Sequence, residues 1–244
     1  MKHIILPEEG DRRLVFYLAM EEFVARNICE DAFFLWRVAP TVIIGRNQSL
    51  EDEVDTGYCA ENGVQVYRRK SGGGCVYADK GNLMISAVTG IHGTADAFGS
   101  YLLHLNSFLG SLGLDSSLSG RNDILVEGRK VSGNALQMLP EKSIVHGTLL
   151  YDADLDAMRD ALRPPVEKLG RHGISSVRQR VANLTEYSSC MRGIHCMKDL
   201  MDSLVEHFCS GTIMLTRGQV DRICEIEKGY LDPDFIAGRS LHQE

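Results

Sequence analysis

The segment Arg68-Arg69-Lys70-Ser71-Gly72-Gly73-Gly74-Cys75-Val76-Tyr77-Ala78-Asp79-Lys80-Gly81-Asn82 places three consecutive cations before three consecutive glycines. Glycine loses more conformational freedom on folding than any other residue, so such a run is costly inside a strand. A flexible linker would carry neither the cations nor the apolar residues around them. Close approach of an anion to the main chain explains both features, and a phosphate-bearing ligand fits it. A glycine turn between strands at Val66 and Val76 explains the glycine pattern equally well. Arg68, Arg69 and Lys70 favour the ligand loop, because clustered like charges repel unless solvated or paired. The spacing is not that of a Walker loop, whose lysine follows its glycines. It is not a dinucleotide fingerprint either, since Tyr77 stands where the third glycine belongs.

Around this segment the chain alternates between short strands and amphipathic helices. Residues 12–26 carry apolar ridges at helical spacing, with Leu14, Tyr17, Leu18 and Glu21 on one and Phe16, Met20, Phe23 and Val24 on the next. Strands are predicted at 32–36, 41–44, 64–67, 83–88, 124–126, 129–132 and 146–151, with a tight hairpin turn at Glu127-Gly128. Helices are predicted from Ser49 to Asn62-Gly63, over 95–112, 154–162 and 197–208, and over 216–227 behind a Thr216/Gln219 capping box. Strands gather in the first two thirds and helices at the end, which is an α+β order in one domain. The stretch after Gly229 reads as an irregular tail.

With 244 residues and 44% hydrophobic content, the chain can build an ordinary core without metal or disulfide staples. A net charge of -7 argues against a general nucleic-acid binder. No window has the apolar length of a membrane span, and no signal peptide opens the chain. The 7 cysteines are irregularly spaced, with no C-x-x-C pair, and read as reduced thiols of a cytoplasmic protein.

A second candidate site is Gly120-Arg121-Asn122-Asp123 with Gly128-Arg129-Lys130-Val131-Ser132-Gly133-Asn134-Ala135. Lys130 lies in an alternating strand, where an exposed lysine is the usual case. The functional reading turns it into a cleft beside Asn122 and Asp123, as a compact cation for phosphate and carboxylate oxygens. Ser132, Gly133 and Ala135 would let a ligand lie against the backbone. His146-Gly147-Thr148 precedes an apolar strand, and a lone histidine is more often structural than catalytic. No Ser-His-Asp order and no H-E-x-x-H stands out. Residues 171–184 form a second basic segment, whose plainer reading is a solvated loop.

Taken in order, the blocks R-R-K-S-G-G-G-C-V-Y-A-D-K-G-N, S-G-R-N-D, G-R-K-V-S-G-N-A, H-G-T-L-L and G-I-S-S-V-R-Q-R-V-A-N-L resemble the catalytic domain of lipoate–protein ligases, in the biotin/lipoate ligase superfamily. Phe34-Leu35-Trp36-Arg37 and Val42-Ile43-Ile44-Gly45-Arg46-Asn47-Gln48 fit as well, so the likeness runs from about residue 14 to about 208. The resemblance implies a mixed, largely antiparallel sheet flanked by helices, related to the class II aminoacyl-tRNA synthetase core. It implies ATP-dependent activation of lipoate to lipoyl-AMP with Mg2+, then transfer to a lysine of a lipoyl domain. The implied acceptors are E2 subunits of 2-oxo-acid dehydrogenases and the glycine-cleavage H protein. Carried over by position, Arg69, Ser71, Gly72 and Gly73 would line the acyl and carboxylate end, and Val76, Tyr77 and Asn82 would meet adenine. Asn122 and Asp123 would face phosphate and metal, and Lys130 would bridge the α-phosphate and the acyl oxygen. His146, Gly147 and Thr148 would border the acyl tunnel.

Two departures qualify the likeness. Many members carry a further domain tied to adenylation, whereas the expectation here is a catalytic domain over 1–228, a tail over 229–244 and no accessory domain. A small accessory subunit is then a candidate partner. Related octanoyl- and lipoyl-transferases use a cysteine where this chain has Ser117-Leu118-Ser119. A transferase acting on a preformed acyl group therefore stands second to the ligase. Cys75 reads as a small filler inside the glycine block.

Overall fold

Adjacent apolar residues in the central strands point to opposite faces, as the period of two demands. Phe33 and Ile85 enter one core, while Phe34 and Met84 enter another. A computed structural model describes residues 1–90, 94–120, 122–163 and 180–239. Its main sheet has eight strands: β1 (Lys2–Ile5), β2 (Ala32–Trp36), β6 (Asn82–Thr89), β7 (Ser116–Ser119), β8 (Asp123–Val126), β9 (Arg129–Met138), β10 (Ser143–Leu150) and β11 (Thr212–Met214). Their order is β11-β1-β2-β6-β10-β9-β8-β7, with β1 parallel to both neighbours and every other pair antiparallel. The architecture is therefore α+β with a mixed, largely antiparallel sheet.

A separate three-stranded sheet has β3 (Thr41–Ile44) between β4 (Gln65–Arg68) and β5 (Val76–Ala78). β3 is parallel to β4 and antiparallel to β5. The glycine segment thus crosses over β3 from one edge to the other. That excludes the glycine turn pairing Val66 with Val76, because those strands never meet.

Helix α1 (Leu14–Asn27) packs with α7 (Arg217–Tyr230) on one face of the large sheet. Helices α4 (Thr94–Ser111) and α6 (Met197–Phe208) cover the other face. The predicted helix at 49–63 is instead two short ones, α2 (Leu50–Glu53) and α3 (Thr56–Glu61). Val54 between them is extended and bridges Leu162, just past α5 (Leu155–Ala161). Asp55 then caps α3 by accepting from the Tyr58 amide. The predicted hairpin forms with positive φ at both Glu127 and Gly128, as a two-residue turn of that hand requires.

The described residues after Gly229 are not irregular as expected. Tyr230 is buried, and Asp232 caps a short helix, α8 (Pro233–Ala237), whose Phe235 ring sits edge-on to Tyr230. Residues 171–179 of the second basic segment, Arg121 and residues 240–244 lie outside the described residues. Among the described residues no helix is long and apolar enough to cross a membrane.

Candidate active site

The small sheet stands off the α1-covered face of the large one, and a cleft opens between them. It encloses about 590 Å3 of non-atom space, open solvent at its mouth included. One end is apolar, formed by Leu18, Trp36, Ile43, Val76 and Met84. The other is polar, formed by Asn122, Lys130, Asn134 and Thr148 beside Gly73, Gly74 and Gly133.

The polar end is built by the hairpin of β8 and β9. Leu125 pairs with Lys130 but Ile124 with Ser132, so Val131 is an extra residue in β9. Such a bulge re-aims the side chains on either side of it. Val131 turns into the core, and Lys130 comes to share its side of the strand with Gly133, three residues on. A methyl on Gly133 would lie 2.6 Å from the Lys130 Nζ, so the missing side chain makes room for the ammonium group. Asp123 holds that group from the partner strand, Oδ1 to Nζ at 2.8 Å. Simple alternation from Lys130 put Ser132 in the cleft; the bulge removes it. Ser132 is fully buried, and its hydroxyl accepts from the Asn134 amide. Asn134 and Asn122 bond reciprocally, each amide donating to the other's main-chain oxygen. A methyl on Gly147 would sit 1.9 Å from the Asn134 Oδ1, which explains glycine directly opposite Asn134 in the register.

The three cations of the glycine segment do not reach out to an anion. Arg68, 1% exposed, donates from Nη1 to the carbonyls of Gly45, Arg46 and Gln48 and from Nε to Ile236. Arg69 donates to the carbonyls of Gly72 and Gly74, curling the loop around its own guanidinium, and burial pushes its pKa down to about 10. Lys70 pairs with Glu22 at 2.7 Å and lies over the Tyr230 ring. The repulsion that suggested an external anion is answered inside the protein by carbonyl dipoles and a buried carboxylate. With loop carbonyls turned to Arg69, the exposed Gly72, Gly73 and Gly74 amides have no acceptor among the described residues. Their N–H groups, more than the cations, are what the segment offers a ligand.

His146 is not a lone core histidine. Its Nε2 lies 2.7 Å from the Ser71 hydroxyl and its Nδ1 2.9 Å from Glu21 Oε2. Ser86 donates to the other Glu21 oxygen at 2.5 Å and receives the Trp36 indole N–H at 2.8 Å. Glu22 beside it accepts from the Tyr230 hydroxyl. The helical pattern marked Glu21 as part of a ridge, but nothing local distinguishes a glutamate that turns inward from one that faces water.

Of the remaining expected residues, Gly147 and Thr148 line the cleft, and Val76 does so from β5. Tyr77 and Asn82 do not. Tyr77 packs into the small core with Val42, Ile44 and Val54, and Asn82 is fully buried with its amide donating to the Tyr77 carbonyl. Alternation along β5 sends Val76 and Tyr77 to opposite faces, so their side chains do not share one ligand.

Cys75 lines the cleft, and burial pushes its thiol up to about 12 despite the opposing pull of Arg69. A thiol that stays protonated at neutral pH is a poor nucleophile. At pH 8 iodoacetamide is expected to label the exposed Cys29, Cys190 and Cys196 well before Cys75, read by peptide mass spectrometry. Equal labelling of Cys75 would contradict its assignment as a packing residue. Among the described residues no three metal-ligating side chains cluster.

The lipoyl protein ligase A/B catalytic domain model matches residues 14–209. Lipoate-protein ligase LplJ of Bacillus subtilis is 42% identical over 173 residues, covering 70% of this chain and 52% of that protein. Lipoate–protein ligase 1 of Staphylococcus aureus is 41% identical over the same length, with 70% and 53% covered. The chain thus spans about half the length of the curated relatives it matches. Among solved structures, a bi-partite lipoate protein ligase of Thermoplasma acidophilum superposes with a TM-score of 0.85 at 26% identity, covering 98% of this chain and 97% of that one. A lipoate-protein ligase A bound with ATP superposes with a TM-score of 0.83 at 25% identity, covering 98% and 99%. The chain belongs to the lipoyl protein ligase A/B catalytic domain family.

Proposed function

We propose that this chain is an ATP-dependent lipoate–protein ligase. One observation carries the reading: an apolar cleft ends at Lys130, braced by Asp123 at 2.8 Å and packed against Gly133. The hydrocarbon and dithiolane of lipoate fit the wall of Leu18, Trp36, Ile43 and Met84, which leaves the carboxylate toward Lys130. That carboxylate attacks the α-phosphorus of ATP, and pyrophosphate leaves. The ε-amine of an acceptor lysine then attacks the acyl carbon of lipoyl-AMP, loses a proton and expels AMP. Negative charge grows on phosphate oxygens in the first step and on the acyl oxygen in the second. A fixed ammonium at Lys130 stabilises both, aided by the Gly72 to Gly74 amides.

No enzyme nucleophile is needed, which suits a Cys75 thiol held protonated. Val76 joins the apolar wall, with Tyr77 and Asn82 bracing its strand from behind. Magnesium would enter with the triphosphate and neutralise it. One protein carboxylate plus phosphate oxygens is an ordinary set for that ion, and Asp123 beside Lys130 is the carboxylate to share it. The acceptors assigned are lipoyl domains of E2 subunits and the glycine-cleavage H protein. A cytoplasmic setting is supported by the free cysteines.

The likeness to a chain of a bi-partite ligase favours a second reading, in which adenylation needs a separate subunit and this chain alone only transfers a preformed acyl group. The test incubates the protein with lipoate, Mg-ATP and an apo lipoyl domain. A lipoyl mass gain on the acceptor with AMP release is expected. Absence of both lipoyl-AMP and modified lysine, with a candidate accessory subunit present, overturns the ligase. Modification only from supplied lipoyl-AMP selects the second reading.

A further inference from the structure

Trp36, His146 and the glycine loop come from distant parts of the sequence, yet one buried carboxylate joins them. The chain of bonds runs Trp36–Ser86–Glu21–His146–Ser71–Arg69, with each donor–acceptor distance between 2.5 and 3.0 Å. Its two ends can only donate, since an indole N–H and a guanidinium have no acceptor. Ser86 therefore takes the Trp36 proton and gives its own to Glu21 Oε1. Ser71 takes the Arg69 Nε proton and gives its own to His146 Nε2. The imidazole proton is left on Nδ1, where Glu21 Oε2 accepts it. Neighbouring Glu22 meanwhile grips Lys70, so two consecutive glutamates of α1 hold two consecutive residues of the loop.

We propose that Glu21 is a positioning residue for the acid substrate. It fixes His146 as the Nδ1–H tautomer, so that Nε2 holds Ser71 and with it the glycine loop, and through Ser86 it fixes Trp36 at the apolar end of the cleft. Trp36 and His146 both line the cleft, while Glu21, 1% exposed, does not. Glu21 thus acts through them, on binding of the acyl chain and carboxylate more than on ATP. This inference rests on the ligase reading for the identity of the acid.

Glutamine at position 21 keeps the volume but replaces one acceptor oxygen with a donor. The amide donor must face either His146, which then moves its proton to Nε2, or Ser86, which then accepts twice and leaves its own proton without the carboxylate. Glu21→Gln is expected to weaken lipoate binding about tenfold, the scale of one charge-assisted hydrogen bond. KM for ATP should stay within about twofold, while kcat falls to the extent that the glycine amides shift. Lipoate binding is read by calorimetry without ATP, so it does not depend on turnover. The tautomer is read by 15N NMR, with the His146 signals assigned by their loss in His146→Gln. Wild type should show protonated Nδ1 and bare Nε2.

An Nε2–H tautomer in wild type overturns the proposal, even if the Glu21→Gln protein fails to fold. Unchanged lipoate affinity in a folded Glu21→Gln protein overturns it, and so does an equal loss toward ATP. Wild type that binds no lipoate sinks the ligase reading instead, while the tautomer measurement still decides what Glu21 holds.

Discussion

Lys130→Ala is expected to lower lipoyl transfer from synthetic lipoyl-adenylate by about 100- to 1000-fold, the usual loss when one preorganised stabiliser of developing charge is removed. Supplying the adenylate isolates the aminolysis step, so the loss reports on the acyl oxygen and not on ATP binding. The fold should be untouched. Lys130 and Asp123 are both about one third exposed, and exposed ion pairs contribute at most about 1 kcal/mol. Arginine is not a substitute: Gly133 clears space for a compact ammonium, with only 2.6 Å from Nζ to where a Cβ would stand. Quench-flow transfer assays with circular dichroism on the same sample check both halves. Transfer retained in Lys130→Ala removes the residue from the mechanism.

Arg68→Ala is expected to destabilise the protein by about 3 kcal/mol, because one buried and three partly buried carbonyls lose their donor at once. For a chain of this size that corresponds to a fall of roughly 6–12 °C in thermal midpoint. The affected carbonyls belong to Gly45, Arg46 and Gln48 on one loop and Ile236 on α8. The Arg46 amide in turn donates to the Ser71 carbonyl, so the damage should spread to the glycine loop. Arg68→Lys should recover little, since one ammonium cannot span carbonyls reached from two guanidinium nitrogens. Scanning calorimetry measures the loss. A midpoint within 2 °C or so of wild type would show that water replaces the guanidinium at little cost.

The sequence made elements visible where a local period or turn rule governs them. The two-residue turn at Glu127-Gly128 and the Thr216 capping box formed as read. Strands β1, β7 and β11 carry no such local mark: they are edge or near-edge strands of three or four residues, and β1 and β11 depend on partners far away in the chain. Lys130, Asp123 and Asn122 were legible through the hairpin that pairs them. Ser132 was misplaced because a bulge at Val131 shifts the period by one, and the chain carries no local mark of it. The cations of the glycine segment were visible as charges, but the acceptors of Arg68 and Arg69 are mostly main-chain oxygens, which every residue has. Glu21 and Glu22 illustrate the same limit from the acidic side: burial of a carboxylate depends on donors supplied by β6, β10 and α7.

β1 lies between β2 and β11, so residues at the start of the chain pair with residues 212–214. Arg68 likewise finds its last acceptor at Ile236. During synthesis β1 therefore cannot complete its pairing until Thr212–Met214 has left the ribosome. Contacts of such sequence separation slow folding. The waiting edge of β1 and the half-satisfied Arg68 stay open to a nascent-chain chaperone or a protease until first β11 and then α8 close them.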